Sequence, residues 1–187
     1  MNKKRIWLII PTTLIPYLVL FSLATIFAST KLSFFQSMME IVFRENIINL
    51  VIMLLLYCTF STVLSIICFV VSIRQKWNAL SLAKTTVIVK LIQLPAYIFI
   101  FVLGFLLIIS LFTIPFSIGL FLLDCLTVFL TGLLTFAAVI NAVRQDLFKL
   151  KEVTWVIILQ LIFCADVVAS IVFYLKLKEK CLKLSSW

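Results

Sequence analysis

The sequence predicts an all-α, polytopic transmembrane helix bundle with about five spans and interfacial amphipathic helices. Hydrophobic residues make up 65% of the 187 residues and charged residues only 12%. Soluble domains average roughly 45–50% apolar and 25% charged residues, and a sphere of this size cannot bury so much apolar surface. The apolar residues also gather into runs of about 20, the length of a membrane-spanning helix. A free cytosolic enzyme, a secreted domain and a disordered chain are therefore excluded.

Five apolar runs define the predicted spans of a single integral membrane domain, 1–187. They lie at 6–28, 47–73, 91–113, 117–142 and 154–175, before a basic tail at 176–187. The third and fourth form one uncharged run between Lys90 and Asp124, which is too long for a single membrane helix. We expect it to turn near Pro115, which lacks an N–H, with Ser117 capping the next helix.

The first run has two interpretations. Lys3, Lys4 and Arg5 would suit a signal peptide, but the apolar core exceeds the usual length of about 7–15 residues. We therefore predict an uncleaved membrane helix, kinked by Pro11 and Pro16.

Two linkers have the pattern of helices that lie on the membrane surface. Between Leu32 and Arg44, helical spacing collects apolar residues on one face and polar residues on the other. The apolar face consists of Phe35, Met38, Met39 and Val42. The stretch from Trp77 to Lys90 shows a looser version of the same pattern.

The distribution of positive charge predicts that the N-terminus lies in the cytoplasm. In that orientation the inner segments carry ten Lys and Arg residues and the outer segments six, as the positive-inside rule requires. Trp7, Trp77 and Trp155 would then lie in an inner aromatic belt. The four lysines of the tail conflict with the rule, because five spans place them outside.

Two aspartates inside predicted spans form a candidate intramembrane polar site. From their positions along the fourth and fifth spans, Asp124 and Asp166 fall at similar depth, so we expect them to face each other. Polar neighbours at helical spacing complete the site: Thr127, Thr131 and Ser170.

This site permits three interpretations. The aspartates hydrogen-bond to hydroxyls in a helix interface, or they share a proton and bind a cation or relay protons. An intramembrane aspartyl protease also pairs two aspartates, but the GxGD-type motif is absent, since Leu122-Leu123 precede Asp124 and Cys164-Ala165 precede Asp166.

A second polar cluster is predicted at the inner mouth of the third and fourth spans. We expect the Lys90 side chain to reach the lipid headgroups, with Gln93 and Tyr97 on one helix face. The end of the fourth span lies at the same depth and contributes Asn141 and Arg144. The cluster is either a polar helix start or a small site for an anionic lipid.

Several chemistries lack the residues that they need. The chain has no histidine, which excludes Ser–His and Cys–His nucleophilic sites and HExxH zinc sites. Its five cysteines form no CxxC pair, so a metal site or a disulfide framework is not expected. No phosphate-binding loop is present. We therefore expect no cofactor, no metal and no nucleic-acid partner.

The run KLIQLPAY, Lys90 to Tyr97, together with the general hydropathy, resembles small multi-pass membrane proteins of unknown function from low-GC Gram-positive bacteria. The resemblance implies a bacterial cytoplasmic membrane and no particular activity. We expect a non-enzymatic accessory or interaction component that contacts the lipid bilayer and another membrane protein or a second copy. The alternatives are a small cation- or proton-coupled transporter or channel subunit that uses Asp124 and Asp166, and an intramembrane hydrolase.

Overall fold

The computed structural model describes residues 8–28, 31–44, 46–109, 113–160, 162 and 165–185. These residues form seven helices and no strand, which confirms the predicted all-α class. The helices are α1 (Ile10–Ala28), α2 (Ser33–Ile41), α3 (Ile47–Arg74), α4 (Ala79–Ile108), α5 (Ile114–Arg144), α6 (Leu150–Leu159) and α7 (Ala165–Ser185). The predictions for Lys3, Lys4, Arg5, Trp7 and Cys164 fall outside the described residues.

Four helices within the described part of the chain are long and apolar enough to cross a membrane: α1, α3, α4 and α5. The predicted spans 47–73 and 117–142 agree closely with α3 and α5. Helix α1 matches the described part of the span 6–28 and contains Pro16.

Helix α4 begins twelve residues before the predicted span 91–113. The side chain of Asn78 caps it by accepting a hydrogen bond from the backbone N–H of Ser81 at 3.1 Å. The predicted surface linker and span are therefore one continuous helix of 30 residues. As a result, Lys90 lies about 16 Å inside α4 rather than at its mouth, and Pro95 is an interior residue.

The turn between α4 and α5 lies near the predicted position, but its capping differs. Pro115 occupies the first turn of α5, where its missing N–H costs nothing. The prediction that Ser117 caps this helix is wrong, because Ser117 lies inside it and donates a hydrogen bond to the carbonyl of Gly104 at 2.8 Å. Ser117 thus joins α5 to α4.

The predicted fifth span, 154–175, is divided into two helices in the structure. Helix α6 ends at Leu159 and α7 begins at Ala165. The two helices lie side by side in opposite directions, since Lys180 Nζ of α7 lies 3.3 Å from Glu152 Oε2 at the start of α6. The Lys176 ammonium likewise lies 5.1 Å from the Trp155 ring. We call this re-entrant pair the α6–α7 hairpin.

Helix α7 ends beside the start of α6, at one end of the bundle. A continuous apolar cluster there joins the α3–α4 loop, the hairpin and the start of α1 through Trp77, Val153, Leu177 and Ile9. We call this the basic end. Basic residues crowd around it: Arg74, Lys76, Lys84, Arg144, Lys149, Lys151, Lys176, Lys178, Lys180 and Lys183.

The short helix α2 lies at the opposite end of the bundle. It falls within the stretch from Leu32 to Arg44 that the sequence predicts as a surface helix. Of the predicted apolar face, Met39 is buried in the bundle but Val42 is 54% exposed, and Phe43 is buried in its place. The reason is that α2 ends at Ile41, and the chain turns through a positive φ of 51° at Arg44.

Small residues form the contact face of α3. In α3 every buried residue except Leu50 belongs to one stripe at spacings of three and four: Cys58, Ser61, Ser65, Cys68 and Ser72. Such side chains let helix backbones approach closely. Helix α5 is the most buried of the four candidate spans and forms the centre of the bundle.

Candidate functional site

A fully buried ion pair lies at the tip of the α6–α7 hairpin. Lys90 Nζ of α4 lies 2.6 Å from Asp166 Oδ2 in the first turn of α7, with the side chains 0% and 2% exposed. Lys90 also donates to Gln160 Oε1 at 2.5 Å. Removing charges from water is costly unless they are paired and hydrogen-bonded, and the Lys90 ammonium has both kinds of partner.

Gln160 connects the ion pair to the surrounding helices. Besides accepting from Lys90, its Oε1 accepts a hydrogen bond from Thr135 Oγ1 of α5 at 3.2 Å. Its Nε2 donates to the Asp166 carbonyl at 3.2 Å and to Ser170 Oγ at 3.1 Å. The amide therefore ties together the two arms of the hairpin and the central helix.

The ion pair is deep inside the apolar part of the bundle. Lys90 is about 16 Å from the start of α4, and Gln160 is about 15 Å from the start of α6. A depth of about 15 Å would lie well within a membrane core that is about 30 Å thick. Non-helical backbone is tolerated at that depth only where it is buried in protein or lines a cavity. The side chain of Gln160 is only 1% exposed.

The structure corrects two expectations about these residues. Lys90 does not reach the headgroups, because α4 starts earlier than predicted and its ammonium points to a buried carboxylate. Asp166 is paired with Lys90 rather than with Asp124. Sequence reasoning missed the role of Gln160, whose only signal was a polar residue within an apolar run.

Gln93 and Tyr97 do share a helix face, and they repair a backbone defect in α1. Pro16 has no N–H to donate to the Thr12 carbonyl, and the Gln93 side chain donates to that carbonyl at 2.9 Å. The Tyr97 hydroxyl in turn donates to Gln93 Oε1 at 3.0 Å. Tyr17 donates to the carbonyl of Ile92, close to Pro95 in α4. Both interior prolines thus mark α1–α4 contacts.

Asn141 and Arg144 lie apart from these residues and serve the C-terminus of α3. Asn141 Nδ2 donates to the Ser72 carbonyl at 3.0 Å, and Arg144 donates to the Ile73 carbonyl at 3.1 Å. Donors at this position satisfy the last carbonyls of a helix, and a cation complements its dipole. The predicted inner-mouth cluster is therefore divided into three structural units, namely the ion pair, the proline repair and this cap.

The threonines of the predicted intramembrane site bond to their own helix. Thr127 Oγ1 donates to the carbonyls of Leu123 and Asp124, and Thr131 Oγ1 donates to the carbonyl of Thr127. Ser170 donates to the Asp166 carbonyl at 2.8 Å. These hydroxyls donate to backbone carbonyls rather than to the carboxylates of Asp124 and Asp166, so they do not match the interpretation in which hydroxyls bind the aspartate side chains.

Asp124 is the acid with unused binding capacity. Its side chain is 6% exposed, and its Oδ1 atom has no hydrogen-bond partner. It lines two cavities of about 380 and 460 Å³, which share Asp124, Phe101 and Phe121. We call these cavities together the Asp124 crevice. Further lining residues of the first are Ile100, Gly104 and Phe105, and of the second Cys125, Phe129 and Gln160.

Metal-ligating side chains do not gather anywhere in the described part of the chain: no group of three His, Cys, Asp or Glu residues could hold an ion there. Asp124 and Asp166 do not pair with each other, because Asp166 contacts Lys90 and Asp124 lines the crevice. Gln160 contacts both surroundings.

The fold and the buried polar groups define a class, that of α-helical membrane proteins with four candidate spans and a re-entrant hairpin. Comparison of the chain with protein-family models, curated proteins and solved structures finds no match. Function has to be argued from the chain's own geometry.

Proposed function

We propose that this chain is a multi-pass protein of the bacterial cytoplasmic membrane, with its basic end in the cytoplasm. Ten Lys and Arg residues surround the basic end, whereas Lys31 and Arg44 are the basic residues described at the opposite end. An excess of positive charge marks cytoplasmic segments. The α6–α7 hairpin supports this orientation, since it returns the lysines of the tail to the same end as the α5–α6 loop.

We further propose that the protein acts without catalysis, by reversible binding of a small hydrophobic molecule in the Asp124 crevice. One observation carries the proposal: a buried carboxylate oxygen without a hydrogen-bond partner lines cavities of about 380 and 460 Å³. Ligand sites are mostly apolar cavities of about 300–1,000 Å³ with a few polar groups. Lys90, Asp166 and Gln160 bond to one another, which leaves Asp124 as the available polar group.

Photolabelling in liposomes tests this function. A small hydrophobic diazirine should label Phe101 and Phe121 with a saturable component that excess unlabelled probe removes. Gly104 lines the crevice and its added Cβ would lie 3.8 Å from Ser117 Oγ, so Gly104→Leu should fill the space and abolish that component.

The matched control is Gly119→Leu. Gly119 lies on α5 but outside the residues that line the crevice, and its added Cβ meets nothing within 4 Å. This variant should be labelled like the original chain. Labelling that is wholly non-saturable, or unaffected by Gly104→Leu, would overturn the proposed binding function.

A second candidate function is ion-coupled transport, favoured by the break between α6 and α7 beside a buried ion pair. Transporters often build their sites from discontinuous helices near the bilayer midplane. Here Gln160 bonds to the Lys90–Asp166 pair and also lines the Asp124 crevice. Proton or cation flux into proteoliposomes tests this candidate. Flux that persists in both Asp124→Asn and Asp166→Asn would exclude a role for these acids.

A further inference from the structure

We infer that the ligand of the Asp124 crevice is a lipophilic monocation, such as an aromatic or alkyl onium or amine, that enters from the lipid. The inference rests on the proposed binding function and specifies its ligand class. It follows from the unpartnered acid of the crevice, the composition of its walls and the direction in which it opens.

The crevice contains an acidic group that has no internal cationic partner. Lys90, the buried cation of the described spans, is already paired with Asp166 at 2.6 Å. The two charges form a neutral unit, so Lys90 does not compensate Asp124. A buried acidic group in a membrane is normally paired. A cation arriving with the ligand would provide the missing partner for Asp124 Oδ1.

The walls suit an organic cation rather than a metal ion. Hard metal cations take about six or more oxygen ligands. In the first cavity the polar side chains are Asp124 and Ser117, and Ser117 is already hydrogen-bonded to the Gly104 carbonyl. The remaining surface is aliphatic and aromatic, and aromatic faces attract organic cations. The crevice therefore offers one acidic group within a largely apolar envelope.

The crevice opens towards the lipid between α4 and α5. Phe101 is 60% exposed, and Phe105 and Phe121 are each 66% exposed, although all three line the crevice. In a membrane these faces contact acyl chains. A lipophilic cation concentrates in the bilayer and would reach Asp124 by moving sideways past these rings, without crossing the bundle.

A pair of probes of matched shape and opposite charge tests the ligand class. The full-length protein in detergent is equilibrated with radiolabelled tetraphenylphosphonium or tetraphenylborate, and bound probe is measured after separation from free probe. We expect saturable binding of the phosphonium and none of the borate. Asp124→Asn should weaken phosphonium binding at least tenfold.

Two further variants guard against loss of folding. Asp124→Glu keeps the carboxylate and should retain most of the binding. Glu179→Gln removes a mostly exposed acid far along α7 and should leave binding unchanged. The thermal unfolding temperature of each variant is measured in parallel.

The outcomes separate this inference from the proposed function. Equal binding of both probes, or full phosphonium binding by a folded Asp124→Asn variant, would overturn the inference that the ligand is a cation. If photolabelling is still lost in Gly104→Leu, the proposed binding function of the crevice stands. Absence of saturable binding for both probes, with non-saturable photolabelling, would overturn the proposed function as well.

Discussion

Lys90 and Asp166 are 76 residues apart in the chain, yet Lys90 Nζ and Asp166 Oδ2 meet at 2.6 Å in the middle of the bundle. The contact joins a long membrane helix to the first turn of the re-entrant hairpin. It allows an aspartate to lie at a depth where, on insertion scales, an unpaired charge costs about 2.5–3.5 kcal/mol. The contact also fixes the position at which the α6–α7 hairpin turns.

The first prediction concerns the energetic coupling of this pair. Lys90→Met and Asp166→Leu should each lower the free energy of unfolding by about 3 kcal/mol or more, because each leaves an uncompensated buried charge. The double variant should be more stable than either single variant. Equilibrium unfolding of the original chain, the two single variants and the double variant in mixed micelles completes this double-mutant cycle and gives the coupling energy.

An exposed ion pair supplies the control for this cycle. Lys183 and Glu179 lie 2.7 Å apart but are 72% and 66% exposed, so Lys183→Gln should change stability little because exposed pairs contribute little. Additive costs of the two buried substitutions would show that Lys90 and Asp166 do not interact.

The second prediction concerns the carbonyl that Pro16 leaves without a backbone donor. Gln93→Leu should cost about 0.6 kcal/mol and at most about 1.7 kcal/mol, the average and the maximum measured for hydrogen bonds between membrane helices. In a Pro16→Ala background residue 16 regains an N–H for the Thr12 carbonyl, so the same substitution should cost less. Unfolding in micelles of the four proteins, with and without each substitution, gives the coupling energy between residues 16 and 93.

Tyr97→Phe is the control, since it removes the hydrogen bond to Gln93 Oε1 and leaves the Thr12 carbonyl with its donor. Its cost should be the same in both backgrounds. If Gln93→Leu also costs the same with and without Pro16, the repair of the proline site is refuted.

The third prediction tests the α6–α7 hairpin in the unmodified chain. A carbodiimide, which joins an amine to a carboxylate without a spacer, should link Lys180 to Glu152, whose Nζ and Oε2 atoms are 3.3 Å apart. In one continuous helix, residues 28 positions apart would be separated by about 42 Å. Mass spectrometry of the digested protein identifies the linked peptides.

The local Lys183–Glu179 pair should also be linked and serves as a positive control. Glu152→Gln should remove the first link alone. Recovery of the Lys183–Glu179 link without the Lys180–Glu152 link would favour a continuous fifth span over the hairpin.

The fourth prediction concerns the side on which the tail lies. Cys181 is partly exposed near the end of α7, at the basic end. A membrane-impermeant maleimide should label Cys181 and an added Lys149→Cys only after the cells are permeabilised, because both lie at the proposed cytoplasmic end. An added Lys31→Cys should be labelled in intact cells. Labelling of Cys181 in intact cells would contradict the proposed orientation.

The membrane class and the main helices could be predicted from the sequence, because hydropathy is a property of local runs. The same holds for the packing stripe of α3, which is visible in the spacing of Cys58, Ser61 and Ser65 before any contact is known. Small residues at this period favour close approach of helices whatever the partner is. The buried position of Asp124 follows from its place in an apolar run.

The pairing of Asp166 with Lys90, the role of Gln160 and the α6–α7 hairpin were decided only by the tertiary structure. Whether an apolar run crosses the membrane or turns back depends on whether other helices can satisfy the polar groups at the turn. Here Thr135 of α5 and Lys90 of α4 both donate hydrogen bonds to Gln160 at the turn. Neither residue is near the turn in sequence. The hairpin in turn moves the tail to the basic end, so the conflict of its lysines with the positive-inside rule disappears.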